Sequence, residues 1–219
     1  MAGAGTKRQT EWHQGWAAVT VRPVHIDIVI FDGVDELDAL GPAEVFRNAE
    51  RAGAGLTCAL VTRVPQELVT GSHRMRLAPD GIHRPGADML LVPGGGWNDH
   101  ADVGAWGEAQ RGLLPAMIAD AAAAGCTIAS VCTGALLLAA AGVIGNRRAT
   151  THHGAYDALR ETGAQVVTDR IVDDGDLLTC GGVTSGIDLA LWIVERFVGA
   201  ELAEGISRQM EWPRWQPAP

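Results

Sequence analysis

From residue 25 onward, short apolar runs alternate with longer segments whose apolar residues recur at helical spacing. The short runs are rich in β-branched residues and are bounded by Gly, Pro or Asp, a pattern typical of buried strands. They predict strands over 25–31, 56–62, 88–96, 127–131, 165–168, 170–173 and 177–180. The intervening segments predict helices over 36–52, 107–124, 134–141, 154–162, 185–198 and 201–211.

Two segments of this pattern are less regular. The first helix contains Gly41-Pro42, where we expect it to bend or restart. Residues 65–86 are rich in Gly, Pro and His and predict a hairpin or an irregular excursion.

The alternation of strands and helices predicts a mostly parallel sheet covered by helices on both faces. We therefore expect a single α/β domain over 25–212, a flavodoxin-like three-layer sandwich. Residues 1–24 have no periodic apolar face and predict a flexible arm, and 213–219 predict a C-terminal tail.

Composition narrows the class of partner. The 219 residues carry a net charge of −9, and no run of Lys or Arg exceeds two residues, so we expect no nucleic-acid partner. No segment reaches about 18 uncharged apolar residues and the N-terminus has no signal-peptide core, so we expect no membrane association. The four cysteines contain no CxxC pair, which predicts reduced thiols in a cytoplasmic protein.

One predicted strand end has features of a nucleophile elbow. At 130–134 a strand passes into a helix with almost no connecting residues, so the side chain of Cys132 is expected to project out of the sheet. Free N–H groups at the start of the next helix favour a thiolate and predict a pKa for Cys132 below the free value of about 8.5. Cys58, Cys126 and Cys180 are interpreted as inert thiols within apolar strands.

A glycine loop follows another predicted strand. Gly94 and Gly95 would let backbone N–H groups turn inward, as an oxyanion hole requires. The sequence has no GK[ST] there, so this is not a nucleotide P-loop, and the lack of GxGxxG after the first strand disfavours a dinucleotide cofactor.

Asp38 lies near the point where the first strand meets the first helix, at the same sheet edge as Cys132. Its neighbours Leu37 and Leu40 suggest that it faces inward. Asp35 and Glu36 fit solvent-exposed carboxylates better.

The histidines do not predict a metal site. His73, His83 and His100 fall in predicted loops and are interpreted as solvated. His152 and His153 are adjacent, a spacing that rarely serves one ion. We expect neither a metal nor a cofactor.

Taken together, these motifs resemble the ThiJ/PfpI superfamily of the class I amidotransferase-like fold. The resemblance is strongest to the branch of isonitrile hydratases and the ligand-binding halves of AraC-type regulators. It runs from residue 25 to about 212 in family order. The matching segments are FDGV (31–34), LDALGPAEVF (37–46), LVPGG (91–95), SVCTGALLL (130–138), RATTH (148–152) and GGVTSGIDLA (181–190).

The resemblance implies roles for individual residues. Cys132 takes the place of the nucleophile and Asp38 that of its acidic partner. Thr133 stands where protease-like members carry His, which argues against a Cys-His peptidase. His152 matches a family position near the cysteine, but His153 replaces the usual Trp.

The resemblance also implies that the segment GVTS (182–185), which contains Thr184 and Ser185, closes the site from a neighbouring strand end. The implied function is hydration of an isonitrile through a thioimidate on Cys132, with a small-molecule substrate and a homodimeric assembly. Two alternatives stay open. One is a non-catalytic ligand sensor, although full AraC-type regulators carry about another hundred residues. The other is a different thiol enzyme of the superfamily, such as a cofactor-independent glyoxalase.

Overall fold

The computed structural model describes residues 23–215. Most of its strands form one seven-stranded sheet, and two short two-stranded sheets lie outside it. The strands are β1 (Val24–Val29), β2 (Leu56–Thr62), β3 (Val69–Thr70), β4 (Arg76–Leu77), β5 (Gly81–Ile82), β6 (Met89–Val92), β7 (Thr127–Ser130), β8 (Arg148–Ala149), β9 (Gln165–Val166), β10 (Ile171–Asp173) and β11 (Leu177–Cys180). The helices are α1 (Glu36–Arg51), α2 (Ala105–Arg111), α3 (Leu113–Ala123), α4 (Gly134–Ala140), α5 (Tyr156–Glu161), α6 (Ser185–Phe197) and α7 (Ala200–Gln209).

The main sheet has the spatial order β10-β11-β7-β6-β1-β2-β5, and every neighbouring pair is parallel except β10 with β11. The helices form two groups: α1, α6 and α7 contact one another, and α4 contacts α2, α3 and α5. Members of each group also contact the sheet. The predicted single α/β domain with a mostly parallel sheet is confirmed.

The first helix does not restart at Gly41-Pro42 but runs unbroken through both residues. Pro42 has no N–H for the helix ladder, yet packing against α6 compensates for the lost bond. A Cβ at Gly41 would lie 3.1 Å from Cγ1 of Ile187, and a Cβ at Gly186 would lie 3.2 Å from Cγ of Pro42. The small residues therefore allow the close contact between α1 and α6 that keeps the helix continuous.

The single helix predicted over 107–124 is wrong, because the segment forms α2 and α3. Gly112 separates them with a φ of 73°, a left-handed conformation that ends one helix and precedes the next. The excursion predicted over 65–86 contains the antiparallel β3–β4 hairpin. It also contains β5, which joins the main sheet beside β2.

Both predicted terminal segments lie mostly outside the residues that the structure describes. The arm predicted over 1–24 lies almost wholly outside the described residues, although β1 already begins at Val24. Of the predicted tail, only 213–215 is described. No helix in the described part of the chain is long and apolar enough to cross a membrane.

Candidate active site

Cys132 lies in the three-residue connection between β7 and α4, a short link of the kind that an elbow requires. Its φ is 57°, a left-handed conformation that is uncommon for a residue other than glycine. Its backbone N–H donates to the carbonyl of Gly181 at 3.0 Å, and its carbonyl accepts from Oγ1 of Thr151 at 2.8 Å. These two bonds hold the strained residue, and its side chain is almost fully buried.

Glycines on two strand ends make room for the elbow. A Cβ at Gly134 would collide with the carbonyls of Val92 and Pro93, and a Cβ at Gly94 would collide with Thr133. The loop after β6 and the elbow after β7 therefore approach more closely than side chains allow. At these two positions the need for glycine is steric, since neither residue has a positive φ.

Asp38 lies in the first turn of α1 and is fully buried. Its Oδ2 accepts a hydrogen bond from the N–H of Gly94 at 3.0 Å, while Oδ1 has no well-formed bond within the described part of the chain. Burial, together with the charge of Asp35, raises the pKa of Asp38 to about 7; the Gly94 amide and the Cys132 thiol act in the opposite direction. The thiol therefore neighbours a carboxyl group that titrates near neutral pH.

The pKa of Cys132 is not lowered, and the expectation from the sequence is wrong on this point. Burial and the neighbouring Asp38 raise it to about 12, although the N–H groups of Val183 and Thr133 favour the thiolate. The helix that follows has only seven residues and offers the sulfur little compensation. At neutral pH the proton rests on sulfur, and Asp38 is the group that ionises first.

The N–H groups of the glycine loop already have acceptors within the protein. Gly94 donates to Asp38, and Gly95 donates to Oγ1 of Thr133 at 3.0 Å. These amides therefore position the acid and the residue after the nucleophile, which differs from the expected oxyanion hole. The N–H groups directed at the sulfur come instead from Val183 and Thr133.

The resemblance placed Val183 in the segment that closes the site, but the sequence did not identify its backbone N–H as a group that faces the sulfur. Its φ is 40°, which for a β-branched side chain is a genuine outlier. The Gly181-Gly182 pair before it was the available signal of an unusual turn. The resemblance had placed Thr184 and Ser185 in this segment without identifying the Val183 amide.

The other predicted residues surround this centre. His152 packs against Gly182, where a Cβ would lie 2.5 Å from its ring, and its Nδ1 accepts from the N–H of Gly154. Burial and the charge of the neighbouring His153 lower the pKa of His152. Ser185 is buried at the start of α6, whereas Thr184 is exposed and its hydroxyl accepts from Arg170.

Two residues that the sequence placed in solvent are buried or nearly buried. Glu36 is only 2% exposed, because its carboxylate accepts hydrogen bonds from the backbone N–H groups of His73 and Met75. His83 has a side chain only 9% exposed, and its Nδ1 lies 2.8 Å from Oδ2 of the buried Asp27. In both cases tertiary partners remove a charge-bearing group from water.

Ligand atoms of Asp35, Glu36 and His73 lie within 4.8 Å of one another, close enough for a metal ion. The oxygens of Glu36, however, are already used by hydrogen bonds from the hairpin, including one from the ring of His73. This arrangement fits a structural anchor between α1 and the hairpin.

The remaining cysteines differ from Cys132. Cys58 is half-buried in β2, Cys180 is buried in β11, and Cys126 lies one residue before β7. Burial raises the pKa of Cys58 and of Cys126 to about 11, and it raises that of Cys180 well above its ordinary value. None of the three has a φ in the left-handed region.

Comparison with known proteins finds similar sequences among both isonitrile hydratases and transcriptional regulators. The chain is 38% identical over 200 residues to an isonitrile hydratase of Pseudomonas putida, which covers 90% of this chain and 80% of that protein. It is 30% identical over 196 residues to the HTH-type transcriptional regulator CdhR of Pseudomonas aeruginosa, covering 86% of this chain and 55% of the regulator.

The solved structures agree. A ThiJ/PfpI family protein from Pseudomonas syringae superposes with a TM-score of 0.77 at 26% identity, covering 98% of this chain and 84% of that one. The family model for DJ-1/PfpI proteins matches residues 24–196, which include every site residue described above. The chain belongs to the DJ-1/PfpI family.

Proposed function

We propose that this protein hydrates isonitriles to N-substituted formamides, with Cys132 as the nucleophile and Asp38 as the proton shuttle. The observation that carries the proposal is the buried pair itself: a thiol on a strained elbow beside a carboxyl group whose pKa is about 7. The 38% identity to an isonitrile hydratase supports it.

The first step forms a thioimidate. The Asp38 carboxylate accepts the thiol proton of Cys132 as the sulfur bonds to the terminal carbon of R–N≡C. The same carboxyl group then donates that proton to the carbon and gives R–N=CH–S on the enzyme. A carboxyl group with a pKa near neutrality suits both transfers.

Water completes the reaction. Asp38 takes a proton from water while the oxygen adds to the thioimidate carbon, and it passes that proton to the nitrogen, which leaves Asp38 ionised again. When the carbonyl forms, the carbon–sulfur bond breaks and the hydroxyl proton returns through Asp38 to the sulfur. The sum is R–N≡C plus H₂O giving R–NH–CHO, with no net oxidation, so the chemistry needs no cofactor.

The surrounding backbone stabilises charge during these steps. The N–H groups of Val183 and Thr133 face the sulfur while it is a thiolate and again when it leaves. The Gly94 amide holds Asp38 in place through Oδ2. This leaves Oδ1 as the oxygen available for proton transfer.

The test is a steady-state assay with an alkyl and an aryl isonitrile, following formamide release. We expect turnover by the wild type and none by Cys132→Ala. Turnover of a 2-oxoaldehyde but not of isonitriles would favour another thiol enzyme of the family. Saturable isonitrile binding without product would favour a ligand sensor, the role suggested by the resemblance to the regulator. We expect the protein to act in the cytoplasm, where thiols remain reduced.

A further inference from the structure

The loop between β11 and α6 (181–184) contains the strained Val183. The apolar side chain of Val183 has no hydrogen-bonding group that could fix this backbone conformation. Gly182 accepts from the N–H of Ser185 at 3.0 Å, and Val183 accepts from the N–H of Gly186 at 3.1 Å. These bonds form the first turn of α6 but do not direct the loop toward Cys132. The bond from the N–H of Cys132 to the carbonyl of Gly181 joins only the first residue of the loop to the elbow.

Arg170, the residue before β10, contacts both ends of this loop. Its backbone carbonyl accepts from the N–H of Gly181 at 3.0 Å. Its guanidinium donates to Oγ1 of Thr184 at 3.2 Å. Gly181 in turn accepts from the N–H of Cys132, so one side chain and its backbone connect the loop with the elbow.

Asp188 keeps the guanidinium of Arg170 in this position. Its Oδ2 lies 2.7 Å from Nε and 2.6 Å from one terminal nitrogen of Arg170, a charge-assisted contact on a side chain only 3% exposed. Its Oδ1 accepts from the indole N–H of Trp212 at 2.9 Å. The carboxylate is thus held from two sides, by Arg170 and by Trp212.

We propose that Arg170 is a positioning residue for the candidate nucleophile. It forms hydrogen bonds to the loop at Gly181 and Thr184 and so holds the Val183 amide toward the sulfur of Cys132. This inference shares with the proposed function only the choice of Cys132 as the reactive thiol. It concerns how readily the sulfur carries negative charge, whichever electrophile it meets.

The consequence is a specific effect on thiol reactivity. Asp38 loses its proton near pH 7, and the Cys132 thiol keeps its own to about 12, so the pair shares one proton between these values. In this pH range the rate of alkylation measures one fraction of the molecules. It is the fraction in which the Asp38 carboxyl group holds the shared proton and the Cys132 sulfur is a thiolate. Displacing the Val183 amide lowers this fraction, whereas loosening the whole fold would expose the thiol and raise the rate.

The experiment measures iodoacetamide alkylation of Cys132 by peptide mapping between pH 5.5 and 9.5, in the intact chain. The main variant is Arg170→Met, and Arg170→Lys keeps the charge but not the forked geometry. Thr184→Val is a milder variant at an exposed position, which removes only the loop contact.

Arg196→Met is the matched control. Arg196 also pairs with an aspartate, since it lies 2.9 Å from Oδ1 of Asp173, and its side chain is 35% exposed against 33% for Arg170. It contacts the turn between β10 and β11 through the carbonyl of Gly175 and touches no part of the loop at 181–184.

We expect Arg170→Met to lower the alkylation plateau above pH 7 about tenfold, the effect of weakening one hydrogen bond to a charged group. Thr184→Val should lower it about threefold, and Arg170→Lys should fall between the two. The midpoint near pH 7 should stay in place, and Arg196→Met should match the wild type.

An unchanged plateau in both Arg170→Met and Thr184→Val would overturn the proposal. So would a faster reaction of all four cysteines in Arg170→Met. Absence of isonitrile turnover in the wild type would reject the proposed function but leave this readout intact.

Discussion

Oδ2 of Asp38 and the backbone N–H of Gly94 form a buried hydrogen bond of 3.0 Å between residues 56 positions apart in the sequence. This bond joins the first turn of α1 to the loop after β6 and places the carboxyl group beside Cys132. It also explains why the carboxyl is fixed in orientation although burial disfavours its charge. The candidate site therefore exists only when three strand ends are assembled.

Replacing Asp38 with Asn separates the catalytic from the structural effect of the carboxyl group. The folded pKa of about 7 exceeds the ordinary value of 3.8, so the folded protein keeps a proton that the unfolded chain releases. Stability is therefore lost as pH rises from about 4 to about 7, by up to about 4 kcal/mol, and stays lower above that.

Asp38→Asn should abolish this loss. We expect a higher free energy of unfolding than the wild type at pH 8, a smaller difference at pH 4, and turnover reduced about 10²–10⁴-fold. Urea denaturation at both pH values and the isonitrile assay check this. The exposed Asp157, changed to Asn, is the control. Equal gains at pH 4 and pH 8 would contradict the assignment.

The left-handed backbone at Cys132 predicts an unusual order of stability. Glycine adopts a φ of 57° without steric cost, whereas alanine pays about 1–2 kcal/mol. Cys132→Gly should therefore melt higher than Cys132→Ala. At Cys180, in the regular strand β11, we expect the opposite order. Thermal unfolding of the four variants measures both differences, and the same order at both positions would argue against strain at the elbow.

Gly134 should tolerate no side chain. Its Cβ would overlap the carbonyls of Val92 and Pro93, so Gly134→Ala must push β6 away from the elbow. We expect a loss of about 2 kcal/mol or more in the free energy of unfolding and a loss of turnover. Gly81→Ala is the control, because nothing lies within 4 Å of the Cβ position there. Comparable stability of the two variants would show that the strand ends can separate without cost.

Glu36 is predicted to anchor the β3–β4 hairpin to α1. Burial raises its pKa, but hydrogen bonds from its own backbone, from His73 and from Met75 outweigh this and lower it. These hydrogen bonds therefore stabilise the fold at pH values above 4.5, the ordinary pKa of a glutamate. The stabilisation is lost as the pH falls through the lowered pKa of Glu36.

Glu36→Gln should reduce the free energy of unfolding at pH 7 by about 1–3 kcal/mol and speed proteolysis within residues 65–77. Glu44→Gln, at an exposed site on the same helix, should do neither. Unchanged proteolysis in Glu36→Gln would contradict the anchoring role.

The homodimer implied by the family resemblance is also testable. Leu37 at the start of α1 is 41% exposed and Met75 next to β4 is 56% exposed, apolar surface that association would cover. Light scattering at micromolar concentration should give twice the mass of one chain. Met75→Lys should shift the protein toward the monomer, and a monomeric wild type would reject the prediction.

The sequence by itself determined the alternation of the main strands and helices, the mostly parallel sheet and the motifs that contain Cys132 and Asp38. Each of these follows from local periodicity, or from a motif such as the short connection between the strand end at Ser130 and the helix that begins at Gly134. The burial of Glu36 and His83 was not predictable in this way, because their partners lie 37 and 56 positions away. Neither was the continuity of α1 through Pro42, which depends on contact with α6.

The tertiary structure alone decided the electrostatics of the site. A thiol after a strand and before a helix looks activated in the sequence, but desolvation and a buried neighbouring carboxyl raise its pKa to about 12. The amides that face the sulfur belong to Thr133 and to the strained Val183, and Val183 lies in the loop whose Thr184 hydroxyl accepts from Arg170. Dielectric environment and the direction of backbone N–H groups are properties of packed neighbours, so they emerge only once distant segments of the chain meet.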